Sequence, residues 1–260
     1  MTDNTQPTTR FSNRVDDYVK ARPGYPAALI TTLVEDCRLE QASMVVDVGC
    51  GTGLLAARFC EFGSRVIGVE PNAEMRAAGE QYLARYSNFQ MMNGTAECIG
   101  LPAGTAEFIS AGQAFHWFDV NAARREFLRV LKPQGWVVLV WNDRVMDGSK
   151  FAGDYEQLLV RFGIDYASVH HRGKATPENF RRFFGDDAFV QKSFPNAQQL
   201  DYDQFVARVL SSSYMPPRGH AQFEPMMNEV RRVFGENATG SRVTMEYATS
   251  ATYGHLSRIP

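Results

Sequence analysis

Nine consecutive residues constrain this chain more than any other stretch: Val45-Val46-Asp47-Val48-Gly49-Cys50-Gly51-Thr52-Gly53. An apolar run feeding three alternate glycines describes a buried strand whose following turn lays bare backbone against a ligand. Glycine suits that turn because it tolerates φ > 0 and has no Cβ to hold a ligand off. Leu54 to Phe62 reads as a helix whose unsatisfied N-terminal N–H groups face the same point. Seventeen residues after Gly53, the β-rich run Arg65-Val66-Ile67-Gly68-Val69-Glu70 ends in an acid. That is close to the ~20-residue offset at which a carboxylate meets a ribose diol.

Residues 26–142 alternate helical and strand-like periods, the pattern of a doubly wound α/β sheet. The expected strands are 44–48, 65–70, 89–92, 106–113 and 136–141. The expected helices are one opening at Pro26, with Pro at a tolerated first-turn position, then 54–62, 73–86 and 122–130, with a turn over 131–135. Right-handed crossovers bring the carboxyl ends of these strands to one edge, where ligands bind. After Asn142 the pattern changes. Residues 147–188 show weak helical periodicity, clearest over 155–162, and read as a cap over that edge. Residues 189–194 re-enter the sheet, 202–210 and 221–234 are helices, and 242–247 with 251–253 form a closing strand pair or one bent strand. The expected division is a leader or lid over 1–25, a cofactor-binding core over 26–146, a cap and substrate-binding insertion over 147–220, and a C-terminal helix with closing strands over 221–260.

The 260 residues fit one large domain or one domain carrying an insertion, and are ample to bury a core. A formal charge of −2 gives no sign of a broad basic surface for duplex DNA or structured RNA, though it leaves room for a local patch. Cys37, Cys50, Cys60 and Cys98 lack C-x-x-C pairing and read as small buried hydrophobes of a reducing compartment. Met1 to Arg10 has no apolar signal region, and no apolar run reaches ~18 residues, so a cytoplasmic location without membrane contact is expected. His170-His171, with no neighbouring ligand spacing, reads as solvent-facing, and no metal site is expected.

The spacing D-x-G-x-G-x-G with an acid closing the next strand resembles the class I S-adenosylmethionine-dependent methyltransferases, whose fold is a Rossmann-like, doubly wound, seven-stranded sheet with a helical cap or insertion. Dinucleotide enzymes instead use G-x-G-x-x-G, which disfavours a nicotinamide oxidoreductase. Three further segments resemble small-molecule methyltransferases similar to trans-aconitate methyltransferase. They are the leader Phe11 to Pro26, with Tyr18, Arg22, Pro23, Tyr25 and Pro26 at the matching positions, the run Gln113-Ala114-Phe115-His116-Trp117, and the late Arg208 to Tyr214.

The resemblance implies S-adenosyl-L-methionine as cofactor and distributes its parts. Asp47, Gly49, Cys50, Gly51 and Gly53 hold the methionyl end; Glu70 takes the ribose hydroxyls; Pro71, Asn72 and Met75 flank adenine; Ala96 and Glu97 form the adenine-edge loop. Gln113 and Ala114 touch the cofactor at the exit of the fourth strand. Phe115 and Trp117 wall the sulfonium and acceptor, because aromatic faces attract cations. His116, an imidazole that titrates near neutrality, is the candidate catalytic base, the alternative being a packed hydrogen-bonding histidine. Tyr18 and Arg22 share a helical face, and the guanidinium can fork onto the methionyl carboxylate or an acidic substrate. Arg208 and Tyr214, with Arg218, reach towards the same cleft from the substrate side. The implied reaction is methyl transfer to a small-molecule acceptor, a carboxylic acid oxygen by the trans-aconitate resemblance. The competing reading is a non-catalytic regulatory module that binds S-adenosylmethionine or S-adenosylhomocysteine. Neither reading involves nucleic acid, and the sequence carries no signal for oligomeric state.

Overall fold

The alternation of side chains along the central strands creates two separate cores, one on each face of a seven-stranded sheet. The computed structural model describes residues 22–166, 176–185 and 189–256. In chain order the elements are α1 (Ala27–Cys37), β1 (Met44–Val48), α2 (Leu54–Phe62), β2 (Arg65–Val69), α3 (Ala73–Leu83), β3 (Phe89–Met92), β4 (Ala106–Gly112) and α4 (Val120–Val130), followed by β5 (Leu131–Arg144), α5 (Lys150–Phe162), α6 (Pro177–Phe184), β6 (Phe189–Leu200), α7 (Tyr202–Leu210), α8 (Phe223–Asn237) and β7 (Val243–His255). The strand order is β3-β2-β1-β4-β5-β7-β6. The first five strands pair in parallel, and β7 runs antiparallel between β5 and β6.

Consecutive residues face opposite cores, as a period of two requires. Val45, Phe108, Val138 and Val140 pack with α1 and α2, whereas Val46, Ile109, Val137 and Leu139 pack with Phe127 of α4 and Phe180 and Phe183 of α6. A third cluster forms the cap. Tyr155, Leu158 and Leu159 of α5, Phe205 and Val209 of α7, and Met226, Val230 and Val233 of α8 close on Val243, Met245 and Tyr247 at the start of β7.

Several boundaries differ from the sequence reading. β5 begins at Leu131 and carries an irregularity between the Ala106↔Leu131 and Phe108↔Trp136 pairs, where a turn was expected. β6 continues six residues past Phe194, to Leu200, and so lends a sheet strand to the segment read as cap. Its Pro195 is tolerated because β6 is an edge strand. The closing strands are one continuous 13-residue strand. Cys37, Cys50 and Cys60 are buried as expected, but Cys98 is exposed. No helix among the described residues is long and apolar enough to cross a membrane. His170 and His171 lie outside the described residues, among which no group of His, Cys, Asp and Glu could hold a metal ion.

Candidate active site

The carboxyl ends of β1, β2, β4 and β5 open into a cavity of about 640 Å³, a size typical of small-molecule sites. One half is built by the glycine turn. Its first two amides, of Gly49 and Cys50, donate to the Val69 carbonyl at 2.8 and 3.1 Å, which ties the end of β1 to the end of β2. Gly49 has φ +67°, and a Cβ there would meet Ala114 at 2.6 Å, so only glycine lets this turn lie against the loop after β4. Gly53 plays a different part. It caps α2 at φ +86°, a Cβ there would strike Leu83 at 2.3 Å, and it does not line the cavity. The third glycine of the motif packs helix against helix, while Gly49, Cys50 and Gly51 line the space.

Glu70 is buried and anchored from both sides. Its carboxylate accepts from the Gly51 amide and from the Asn72 amide, each at 2.9 Å. Burial pushes its carboxyl up, opposed by those two hydrogen bonds and by Arg76. Each oxygen keeps a lone pair for a ligand hydroxyl. Asp47, 1% exposed, accepts from the Ser110 hydroxyl at 2.7 Å. Burial pushes it up to about 6, with Ser110 and the Cys50 thiol pulling it down. Thr52 is also buried and lines the cavity, and its hydroxyl has no partner among the described residues. With the N-terminus of α2, whose cap residue Gly53 has no side chain to offer and whose Ala56 amide is directed to Asp47, these groups form a polar end that a zwitterionic ligand would satisfy.

The remaining predicted positions divide between cavity and scaffold. Pro71, Asn72 and Met75 line the cavity, but the Asn72 side chain is committed to capping α3, accepting from the Met75 amide at 2.9 Å. Ala96 and Glu97 line it, and Glu97 also accepts from the Asp119 amide at 2.8 Å. Gln113 and Ala114 line it. Gln113 has φ +55°, its amide donates to Val140 at 2.8 Å, and its side chain is directed to the Asn142 carbonyl at 3.1 Å. His116 and Trp117 line it from a single 3-10 turn, their rings 4.9 Å apart. Arg22 lines it and donates to the Ser211 carbonyl at 3.1 Å. Tyr18 lies outside the described residues. Phe115 is a correction: it is fully buried among Phe118, Trp141, Phe180 and Phe183 and does not reach the cavity, because the turn points it into the core.

The other half of the cavity carries Arg208 and Tyr214, as expected, and residues the sequence reading missed: Asn142, Arg144, Tyr166 and Tyr247. Arg208 is 7% exposed. Its contacts are Tyr247 Oη at 3.4 Å and Ser212 Oγ at 3.3 Å, with no carboxylate partner among the described residues. Arg144 pairs with Glu156, donates to Tyr166 Oη at 3.2 Å and lies over the Tyr155 ring at 4.7 Å. Following β5 beyond Trp141 to the same edge as the glycine turn would have found Asn142 and Arg144. Tyr247 comes from β7 and shows no local signal. Arg218, the third residue named with Arg208 and Tyr214, does not line the cavity.

Residues 46–139 match the model of the methyltransferase domain family. This core is a methyltransferase domain. The chain is 38% identical over 138 residues to an uncharacterized methyltransferase of Mycobacterium bovis, covering 52% of each chain. It is 31% identical over 135 residues to an uncharacterized methyltransferase of Schizosaccharomyces pombe, covering 52% of this chain and 53% of that one. It thus spans about half the length of these curated relatives. Among solved structures, a putative type II methyltransferase from Anaeromyxobacter dehalogenans superposes with a TM-score of 0.64 at 19% identity, covering 92% of this chain and 99% of that one. A putative methyltransferase from an antibiotic biosynthesis pathway of Anabaena variabilis gives 0.56 at 15% identity, covering 88% and 97%. The likeness establishes a shared methyltransferase fold across nearly the whole chain.

Proposed function

We propose that this methyltransferase domain binds S-adenosyl-L-methionine in the glycine-turn half of the cavity and transfers its methyl group to a carboxylate oxygen of a small organic acid held in the arginine half. The observation that carries the acceptor is Arg208, a buried guanidinium facing the cavity whose contacts among the described residues are hydroxyls alone. A buried charge without a counterion is costly, and an acidic acceptor would supply one through a forked, charge-assisted contact.

The cofactor supplies an electrophilic methyl group, and the protein's part is to hold and orient. Gly49, Cys50, Gly51, Asp47 and Thr52 would receive the methionyl end, Glu70 the ribose hydroxyls, and Pro71, Met75, Ala96 and Glu97 the adenine. Trp117 and Phe118 give that half an aromatic wall suited to a cation. Arg208, Tyr214 and Tyr247 would seat the acid. Catalysis rests mainly on proximity within a cleft that excludes water. A carboxylate is already ionised near neutrality, so with this acceptor His116 aims an oxygen at the methyl group and has no proton to remove. The enzyme would act in the cytoplasm on a metabolite, with neither nucleic acid nor membrane as partner.

The test is a panel of organic acids incubated with methyl-labelled cofactor, scored for label that base releases as methanol, the signature of a methyl ester. Arg208→Met should abolish ester formation while leaving S-adenosylhomocysteine affinity near wild type. Label that is stable to base, or full turnover by Arg208→Met, contradicts the assignment of the acceptor.

A further inference from the structure

Asn142 joins four segments that are remote in sequence. Its Nδ2 donates to the Gly24 carbonyl at 3.2 Å and lies 3.5 Å from that of Pro23. Its Oδ1 accepts from Asn196 of β6 at 3.2 Å and from the Thr249 hydroxyl of β7. Its main-chain carbonyl accepts from the Gln113 side chain at 3.1 Å, and Asn196 also reaches the Gly24 carbonyl at 2.9 Å. Pro23, Gln113 and Asn142 all line the cavity. The amide is used at both ends, with donors towards the chain entering α1 and the acceptor towards the sheet. Asp has no donor for Gly24, and an apolar residue would leave buried groups unpaired. Gln113 sits at φ +55°, which costs a non-glycine residue free energy and persists only where surrounding contacts hold it.

We propose that Asn142 is a positioning residue for the transfer reaction. Its contacts make the docking of residues 22–24 and the setting of the Gln113 to Trp117 loop a single cooperative event. The loop that carries His116 is then in register only when the entering chain is seated. The assignment to transfer chemistry rests on the methyltransferase reading above, whereas the coupling between the two segments does not.

Amide exchange of the unliganded protein tests the coupling first. Asn142→Asp should raise exchange about tenfold, the equivalent of one lost hydrogen bond, both at Gly24 and Tyr25 and at Gln113 and Ala114. Expressed relative to wild type at each pH, protection should return as the pH falls to the ordinary aspartate range, about pH 4, because a protonated carboxyl can again donate to Gly24. Gln113→Met, which cuts the link from the other side, should loosen Gly24 and Tyr25 as well. Acceleration confined to the substituted side in either variant, or no recovery at low pH, overturns the proposal. In the labelled-methyl assay Asn142→Asp should lower kcat about 100-fold above neutrality, the scale of a small misplacement. Its S-adenosylhomocysteine affinity should change less than about threefold, about 0.7 kcal/mol. Normal kcat with coupled exchange would strike the positioning role. Coupled exchange in a protein that binds no S-adenosylhomocysteine would overturn the cofactor reading and leave the coupling standing.

Discussion

Replacing Glu70 with Ala should weaken S-adenosylhomocysteine binding far more than it weakens the fold. The carboxylate is already oriented by the Gly51 and Asn72 amides at 2.9 Å each, so it meets a diol without further ordering. Loss of one charge-assisted hydrogen bond to a ribose hydroxyl costs about 1.5–3 kcal/mol, roughly a 10- to 150-fold rise in Kd. The two freed amides sit at the cavity wall, where water can replace the carboxylate, and losing a carboxylate whose burial disfavours its charge offsets part of the remainder, so the total stability cost stays below about 1 kcal/mol. Calorimetric titration gives the first quantity and urea unfolding the second. An S-adenosylhomocysteine analogue lacking the ribose hydroxyls closes a double-mutant cycle: it should bind wild type weakly and Glu70→Ala no worse than the natural ligand does. If the natural ligand binds Glu70→Ala within twofold of wild type, or the analogue loses equally against both proteins, Glu70 does not hold the diol.

Asp47 gives a pH signature. Its pKa rises from 3.8 to about 6 on folding, so the folded state holds that proton more tightly than the unfolded chain. This contribution to stability is fully present below about 3.8 and lost as pH rises through about 6. Asp47→Asn should therefore flatten the pH dependence of Tm over that window, and parallel curves for the two proteins would refute the assignment. Phe115→Ala should cost about 3–5 kcal/mol in urea unfolding by opening a core void, with ligand affinity of the folded fraction unchanged; a small cost with lost affinity would return Phe115 to the cavity. With a carboxylate acceptor, His116→Gln should lower kcat without altering the shape of the pH–rate profile. Loss of a near-neutral limb would show that His116 removes a proton and that the acceptor is not a carboxylate.

The parallel half of the fold was legible in the sequence because its signals are local. Each strand carries its own apolar run, each turn its own glycines, and the offset from Gly53 to Glu70 is set by one helix and one strand. The antiparallel half was less so. β6 is an edge strand whose side chains largely face solvent, and it contains Pro195, so it reads as loop beyond Phe194. β7 contains buried Thr249 and Thr252, whose polarity disguises a strand that is continuous through the sheet. Arg144 and Tyr247 enter the site only through the β5–β7 pairing, which places Arg144 opposite Tyr247 across the ladder. Phe115 was misplaced for a different reason. Residues 115–117 form a 3-10 turn, so neighbours in sequence point in different directions, and only His116 and Trp117 of the three face the cavity.

The most direct test of the central claim is calorimetric titration of the unmodified protein with S-adenosylhomocysteine and, separately, with NAD. The glycine turn, the anchored Glu70 and the polar end around Asp47 and Thr52 predict micromolar binding of S-adenosylhomocysteine and no detectable heat with NAD. Micromolar binding of NAD with none of S-adenosylhomocysteine would contradict the account at its foundation.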